Sequence, residues 1–261
     1  MASGFNWYEL MTSDVAAAKA FYAKVVGWET RAFDGSEDYT LVEADGRGVG
    51  GIMAIPAEAR DAGARPGWFG YIAVPDADAA AAALVVAGGK VHMDIRDIPT
   101  VGRIAMVADP QGASFYLIAP DGEDQPRASP MSPGHVGWHE LHTSDWAAAM
   151  DFYGRQFGWA KAEAMDMGPM GTYQIFTAES ENWAGGMFDA DTFGRAAWLF
   201  YFVVGDIDEA ADRVLAAGGQ VLQAPSEVPG SAWVITCSDP QGATFALVGS
   251  RDRQSNRGDE Q

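Results

Sequence analysis

Two glutamates, Glu9 and Glu140, are the residues best suited to acid–base chemistry, and each lies in a Trp-x-Glu-Leu segment that occurs twice in the chain. Alternation along a strand places Trp7 and Glu9 on one face, and Trp138 and Glu140 on the corresponding face of the second copy. A buried carboxylate is costly unless it is hydrogen-bonded. The repeated glutamate is therefore either a general base or an anchor for a cationic or donor-rich ligand, or else a structural carboxylate satisfied by backbone N–H or tyrosine hydroxyl groups.

Three of the four histidines, His135, His139 and His142, lie close to Glu140 in the sequence. By alternation His142 points with Glu140 and His139 points away from it. Glu140 and His142 could coordinate a divalent metal if a third ligand came from elsewhere. The corresponding residue in the first copy is Met11, which does not suit a hard cation.

The chain contains an internal repeat. Residues 7–28 and 138–159 are identical at 13 of 22 positions with an offset of 131 residues. The segment Asp-Pro-Gln-Gly-Ala that begins at Asp109 recurs at Asp239 with an offset of 130 residues. A nearly constant offset across a whole half indicates tandem duplication of a domain. We assign a first domain to residues 1–120, a linker to 121–135, a second domain to 136–249 and a disordered tail to 250–261.

Each half has two similar runs of secondary structure. In the first half, runs rich in Val, Ile, Phe and Tyr predict strands that are interrupted by helices near 14–26 and 78–87. The order is strand, helix and three strands, twice in each half. The strands predicted in the first half lie near 5–11, just after Trp28, and near 39–44, 49–55, 68–74, 90–95, 102–108 and 114–119.

This fourfold βαβββ pattern, with Ser-Asp-x6-Phe-Tyr-x4-Gly-Trp after the first strand and Asp-Pro-x-Gly before the last, resembles the vicinal oxygen chelate superfamily. That superfamily includes glyoxalase I, bleomycin-resistance proteins and extradiol dioxygenases. The resemblance covers both halves and implies an α+β fold in which four βαβββ modules form curved mixed sheets. Each curved sheet is expected to be a cup that holds a small molecule on its concave face.

The resemblance also implies one divalent metal held by His, Gln and Glu side chains in enzymes of the family. The matching residues are Trp7, Tyr71 and Tyr116 in the first half and Trp138, Tyr201 and Ala246 in the second. Tryptophan and alanine are not metal ligands, and a neutral tyrosine is a poor one. We therefore predict no cofactor and no standard metal site, although a divalent metal at a different site stays open.

Aromatic side chains in place of metal ligands favour one of two interpretations. They line a stacking pocket for a planar or hydrophobic molecule, or they fill the sheet face as ordinary core. The predicted ligand-binding residues are Trp7, Met53, Tyr71, Tyr116, Trp138, His142, Phe188 and Tyr201, with Glu9 and Glu140 as the candidate catalytic pair.

Composition excludes several other classes of function. With 17 Lys and Arg against 36 Asp and Glu, the net charge of −19 disfavours nucleic acid. No apolar run is long enough to span a membrane, and the single cysteine, Cys237, excludes an internal disulfide. We expect a cytoplasmic protein that is a monomer with paired domains or a homodimer.

The leading hypothesis is a glyoxalase/bleomycin-resistance-like protein that binds a small molecule without the standard metal. One alternative is a lyase, isomerase or oxygenase that uses Glu9 or Glu140 as base, or a non-standard metal at Glu140 and His142. The other is a non-enzymatic protein that sequesters a drug or metabolite.

Overall fold

The computed structural model describes residues 4–122, 128–129, 131–178, 184–190 and 192–251. The predicted linker at 121–135 lies partly outside the described residues, and the predicted tail lies almost wholly outside them. Within the described residues, no helix is long and apolar enough to cross a membrane.

The first half follows the predicted order twice, with one short additional helix, α2, between the two runs. The elements are β1 (Phe5–Thr12), α1 (Val15–Val25), β2 (Glu29–Phe33), β3 (Ser36–Ala44), β4 (Arg47–Ala54), α2 (Ala57–Asp61), β5 (Gly67–Ala73), α3 (Ala77–Val86), β6 (Lys90–Ile98), β7 (Gly102–Ala108) and β8 (Ser114–Pro120).

The second half repeats this order without a counterpart of α2 among its described residues. Its elements are β9 (Val136–Thr143), α4 (Trp146–Phe157), β10 (Ala160–Asp166), β11 (Thr172–Thr177), β12 (Gly185–Asp189), β13 (Ala197–Asp206), α5 (Ile207–Ala216), β14 (Gln220–Val228), β15 (Ala232–Ser238) and β16 (Thr244–Ser250).

Each half forms one eight-stranded mixed sheet, and the two sheets have the same strand order, β2-β3-β4-β1-β5-β8-β7-β6 and β10-β11-β12-β9-β13-β16-β15-β14. In both sheets the two modules meet at a central antiparallel pair, β1 with β5 and β9 with β13. The α+β class and the four βαβββ modules predicted from the sequence are confirmed.

The repeated sequence motif after the first strand folds as a capped helix. Asp14 accepts a hydrogen bond from the backbone N–H of Ala17, and Asp145 does the same for Ala148. Gly27, which follows the first helix, has a φ of 89° that suits glycine. One face of the first helix is buried, since Ala18, Tyr22 and Val25 all lie in the core. This helix packs against the sheet and leaves the opposite sheet face free to form the site.

The two halves are joined through reciprocal hydrogen bonds between the most strongly repeated residues. The Tyr22 hydroxyl donates to the Asp239 carboxylate at 3.2 Å, and the Tyr153 hydroxyl donates to Asp109 at 3.1 Å. Burial raises the pKa of both carboxyl groups, and the backbone N–H and tyrosine hydrogen bonds oppose this rise. The Phe-Tyr and Asp-Pro-Gln-Gly motifs therefore hold the two halves together rather than line a cup.

Candidate ligand-binding site

The candidate site of the first half lies on the sheet face turned away from α1 and α3, which we call the first cup. Strand alternation places Trp7, Glu9 and Met11 on this face, while Tyr8 and Leu10 belong to the core beneath the helices. The face has a buried layer and a half-exposed apolar layer that lines the opening. The half-exposed side chains include Trp7, Met53, Phe69, Met93 and Met106.

Glu9 lies in the buried layer of the first cup, where it is 3% exposed. Its Oε2 accepts a hydrogen bond of 2.9 Å from the Tyr71 hydroxyl. The Tyr39 and Tyr116 hydroxyls face the same carboxylate and lower its pKa, but Oε1 has no hydrogen-bond partner in the structure. Tyr71 and Tyr116 stack on each other with ring centroids 4.3 Å apart, so their rings cover one another.

Burial dominates the electrostatics of the first cup. Loss of solvent raises the pKa of Glu9 from 4.5 to about 7, and hydrogen bonds from Tyr71 and Tyr39, the charge of Arg96 and the Tyr116 hydroxyl reduce the rise. Burial and the nearby Glu9 carboxylate raise the pKa of all three tyrosines. The hydroxyls therefore act as hydrogen-bond donors to a carboxyl group that changes its protonation state near neutral pH.

The second cup is the equivalent face of the second sheet, around Trp138, Tyr201 and Phe193. Its carboxylate, Glu140, accepts three hydrogen bonds. Tyr173 donates to Oε2 at 2.8 Å, Tyr201 to Oε1 at 2.9 Å, and Oε1 lies 2.8 Å from His142 Nε2. The Glu140 side chain is 12% exposed, so this carboxylate is slightly more open than Glu9.

The two cups share one hydrogen-bonded frame. In each, an indole N–H donates to a tyrosine hydroxyl, from Trp7 to Tyr39 at 3.0 Å and from Trp138 to Tyr173 at 2.7 Å. The tyrosine in turn faces the glutamate. The sequence prediction included both tryptophans but missed Tyr39 and Tyr173.

Glycines explain how these tyrosines reach the glutamates. Gly51 is paired with Glu9 on the neighbouring strand, and Gly186 is paired with Glu140. A Cβ at Gly51 would overlap the Tyr39 hydroxyl, and one at Gly186 would overlap the ring of Tyr173. The tyrosine therefore lies across a position where a side chain is impossible.

The remaining predicted residues fall into the two cups as follows. Met53 is half-exposed in the first cup. In the second cup, the ring centroid of Phe188 lies 4.7 Å from that of His142 and 5.6 Å from that of Tyr173. His139 lies elsewhere, since its ring is buried and its Nε2 lies 2.6 Å from the hydroxyl of its repeat counterpart, Tyr8. The structure thus groups every predicted site residue around one of the two glutamates.

The donor set does not fit the metal that the resemblance implies. At the matching positions the side chains are indole, phenol and, at Ala246, methyl. Among the described residues, no group of three or more His, Cys, Asp or Glu could hold a metal ion. Glu140 and His142 come nearest, but they supply only two donors and these are hydrogen-bonded to each other.

A family model for the Glyoxalase/Bleomycin resistance protein/Dioxygenase superfamily matches residues 4–117 and 133–247. The chain belongs to this superfamily. The match covers both sheets and both cups, and it confirms the family predicted from the repeated motifs.

Superfamily members of similar length are related over most of this chain. CFP32 of Mycobacterium tuberculosis, whose name describes it provisionally as a glyoxylase, is 32% identical over 93% of both chains. The anthracycline biosynthesis protein DnrV of Streptomyces peucetius is 31% identical over 94% of this chain and 93% of its own.

Solved structures of the superfamily share the fold. The Mn(II)-bound glyoxalase of Novosphingobium aromaticivorans matches with a TM-score of 0.66 and 16% identity over 96% of this chain and 83% of its own. The 2,3-dioxygenase LapB of Pseudomonas sp. KL28 matches with a TM-score of 0.63 and 14% identity over 100% of this chain and 96% of its own. At such identities the likeness concerns the fold alone.

Proposed function

We propose that this superfamily member binds a small, planar organic molecule in one or both cups without a metal at the family's standard position. The observation that carries the proposal is that indole, phenol and methyl groups stand at the matching positions, while tyrosine hydroxyls hold a glutamate carboxylate beside them. A metal site would need several deprotonated or imidazole donors directed to one point. Both cups instead direct phenol hydroxyls at one glutamate.

The half-exposed side chains of the cups support an apolar, flat ligand. Trp7 and Met53 in the first cup, and Trp138 and Phe188 in the second, present polarizable surface to the opening. Aromatic and methionine side chains bind planar molecules through stacking and sulfur–aromatic contacts. The glutamate beneath them offers hydrogen-bond acceptors to a hydroxyl or amine on such a ligand.

The name of one relative agrees with this class of ligand. DnrV is named for anthracycline biosynthesis, a chemistry of fused planar rings. From this name we take only that the ligand of this chain is a planar organic molecule. The net charge of −19 separately favours a neutral or cationic molecule over an anionic one.

A matched pair of cup variants tests the proposal. Met53 and Phe188 occupy equivalent positions. Met53 is paired with Met11 on the neighbouring strand, and Phe188 is paired with His142. The protein is dialysed against EDTA, and binding of a panel of planar phenols and aryl amines is measured by calorimetry. We expect binding to persist without metal and to be lost in Met53→Arg, in Phe188→Arg, or in both.

The two arginine variants also show which cup binds the ligand. Each places a charge at the rim of one cup and leaves the other unchanged. Binding that requires added Mn²⁺ or Fe²⁺ would contradict the metal-free proposal. Binding unaffected by both variants would contradict the location in the cups.

A second candidate function, metal-free proton transfer, is favoured by the pKa of about 7 at Glu9. A general base works best when its pKa lies near the working pH. This function predicts that a ketone ligand exchanges its α-protons with D2O in the wild type and not in Glu9→Gln. Binding without exchange would leave ligand binding or sequestration as the function.

A further inference from the structure

The second cup contains a chain of hydrogen bonds that has no counterpart in the first. His142 Nε2 lies 2.8 Å from Glu140 Oε1, and His142 Nδ1 lies 3.0 Å from Thr192 Oγ1. His142 is 5% exposed, whereas Thr192 is exposed. The chain of hydrogen bonds therefore runs from an exposed threonine residue to a carboxylate at the floor of the cup.

We propose that Thr192, His142 and Glu140 form a base-activated hydroxyl that reacts with small aryl esters. The proposal goes beyond ligand binding, because an inert ligand would bind equally well without a reactive hydroxyl. The sequence offered Glu140 and His142 as candidate residues, but Thr192 lies in a loop with no pattern that predicts a role.

The direction of the hydrogen bonds follows from the chemistry of an ionised carboxylate. The Glu140 carboxylate only accepts, so in a neutral imidazole the proton is on Nε2 and Nδ1 accepts the hydrogen bond from Thr192. A hydroxyl next to a base, with the base oriented by a third group, is the arrangement that activates a nucleophile. Tyr173 and Tyr201 hold the orienting carboxylate in place.

The fold positions these groups through strand pairing and a short loop. His142 is near the end of β9, between its partners Phe188 on β12 and Ala197 on β13. Thr192 belongs to the connection between β12 and β13, the two strands that flank β9. In the first half the equivalent connection, 55–66, is longer and contains α2, and the residue equivalent to His142 is Met11. The fold therefore does not require a histidine here.

The aromatic surroundings of His142 favour an aryl substrate. The rings of Phe188 and Phe193 lie 4.7 Å and 4.6 Å from the imidazole ring. Phe193 belongs to the same apolar cluster as the half-exposed Trp138. A planar aryl group can stack among these rings while its ester carbon lies at the Thr192 hydroxyl.

The reaction needs no group beyond these residues, the ester and water. Thr192 Oγ1 bonds to the acyl carbon, and its proton passes to His142 Nδ1. The bond between the acyl carbon and the aryl oxygen breaks, and the departing phenolate takes the proton from Nδ1. Water then attacks the threonyl ester in the same manner, which releases the carboxylic acid and restores the hydroxyl.

An alkyl fluorophosphonate probe tests the proposal, because an activated hydroxyl forms an O–P bond with it and releases fluoride. The full-length protein is treated at neutral pH, and the adduct is located by intact mass and peptide mapping. We expect one adduct at Thr192, retained in Thr192→Ser and absent in Thr192→Val. Thr30→Val, which changes another exposed threonine, serves as the matched control and should label as the wild type does.

The histidine is tested by His142→Met, which introduces the residue of the first cup. We expect labelling and the release of p-nitrophenol from p-nitrophenyl acetate to fall about 100-fold or more. An unlabelled wild type, or equal labelling in Thr192→Val, would overturn the proposal even if His142→Met failed to fold. Either result would leave ligand binding in the cups intact. Binding unaffected by both arginine variants, with labelling of Thr192 retained, would instead overturn the location of the ligand and leave the reactive hydroxyl.

Discussion

The first and second cups have the same frame but treat their glutamates differently. In both, a tryptophan N–H holds a tyrosine that crosses a glycine to face the carboxylate. The first cup then adds Tyr116 and Met11, and buries Glu9 with one oxygen unpartnered. The second cup has Ala246 and His142 at the equivalent positions, and Glu140 accepts three hydrogen bonds.

This comparison shows which residues are the same in the two halves and which differ. The residues that join the halves are repeated, since Tyr22 donates to Asp239 and Tyr153 to Asp109. Within each half a tryptophan N–H, from Trp68 or Trp198, donates to that tyrosine. The residues that differ lie next to the glutamates. Beside the glutamates, Met11 and Tyr116 of the first cup correspond to His142 and Ala246 of the second.

Removal of the glutamate carboxylates should have the largest effect on stability, and the size of the loss should differ between the two cups. Glu140→Leu leaves two tyrosine hydroxyls and His142 without their acceptor, and we expect a loss of about 3–5 kcal/mol. Glu9→Leu also removes the cost of burying a charged carboxylate, so we expect a loss of about 1 kcal/mol or less at pH 8. Urea unfolding at pH 8 measures both, and equal losses would contradict the difference between the cups.

The pH dependence of stability should show the buried acid of the first cup. Since the folded state raises the pKa of Glu9 from 4.5 to about 7, the folded protein retains this proton after the unfolded chain has lost it. The stability contributed at this site is therefore full below pH 4.5 and falls as pH rises to about 7, by about 3 kcal/mol in total.

Glu9→Gln provides the comparison for this pH effect, because an amide does not titrate. The free energy of unfolding of Glu9→Gln minus that of the wild type should increase by about 3 kcal/mol between pH 4.5 and pH 8. Parallel stability curves for the two proteins across this range would show that Glu9 titrates normally.

The glycines that the two frames share should be equally intolerant of a side chain. Gly51→Ala and Gly186→Ala each force a tyrosine away from its glutamate, and we expect losses of about 1–3 kcal/mol in chemical unfolding. Gly205→Ala, where a Cβ meets no atom within 4 Å, is the control and should change stability by less than about 0.5 kcal/mol. A neutral Gly51→Ala would mean that Tyr39 does not need this position.

The smallest expected difference concerns the two glutamines of the repeated Asp-Pro-Gln-Gly motif. Gln111 Oε1 accepts hydrogen bonds from the Thr143 hydroxyl and from the backbone of Ser144 and Asp145, whereas the buried Gln241 Oε1 has no partner in the structure. We expect Gln111→Ala to cost about 1–2 kcal/mol and Gln241→Ala to be nearly neutral. Thermal unfolding of the two variants measures this, and a reversed order would contradict the assigned contacts.

Local sequence patterns were sufficient for the fold and for half of each cup. Alternation along β1 and β9 correctly placed Trp7 with Glu9 and Trp138 with Glu140, because neighbouring side chains of a strand point to opposite faces. The helices predicted near 14–26 and 78–87 are present at Val15–Val25 and Ala77–Val86. Gly51 and Gly186, over which Tyr39 and Tyr173 lie, were not among the predicted site residues.

The missed residues depend on contacts that local patterns do not contain. Tyr39 and Tyr173 are 134 residues apart, whereas the repeat offset before them is 131, because the second half has three more residues in the connection around Met167 and Met170. Thr192 reaches His142 only because β12 and β13 flank β9. The pairing of Tyr22 with Asp239 spans 217 residues and follows from the packing of the two halves.

The central proposal is that tyrosine-held carboxylates take the place of the family's metal centre in both cups. The most direct test is anomalous diffraction at the manganese edge from crystals grown with excess Mn²⁺. We predict no anomalous peak within bonding distance of Glu9, Glu140 or His142. A peak about 2.0–2.3 Å from any of these side chains, at full occupancy, would contradict the claim.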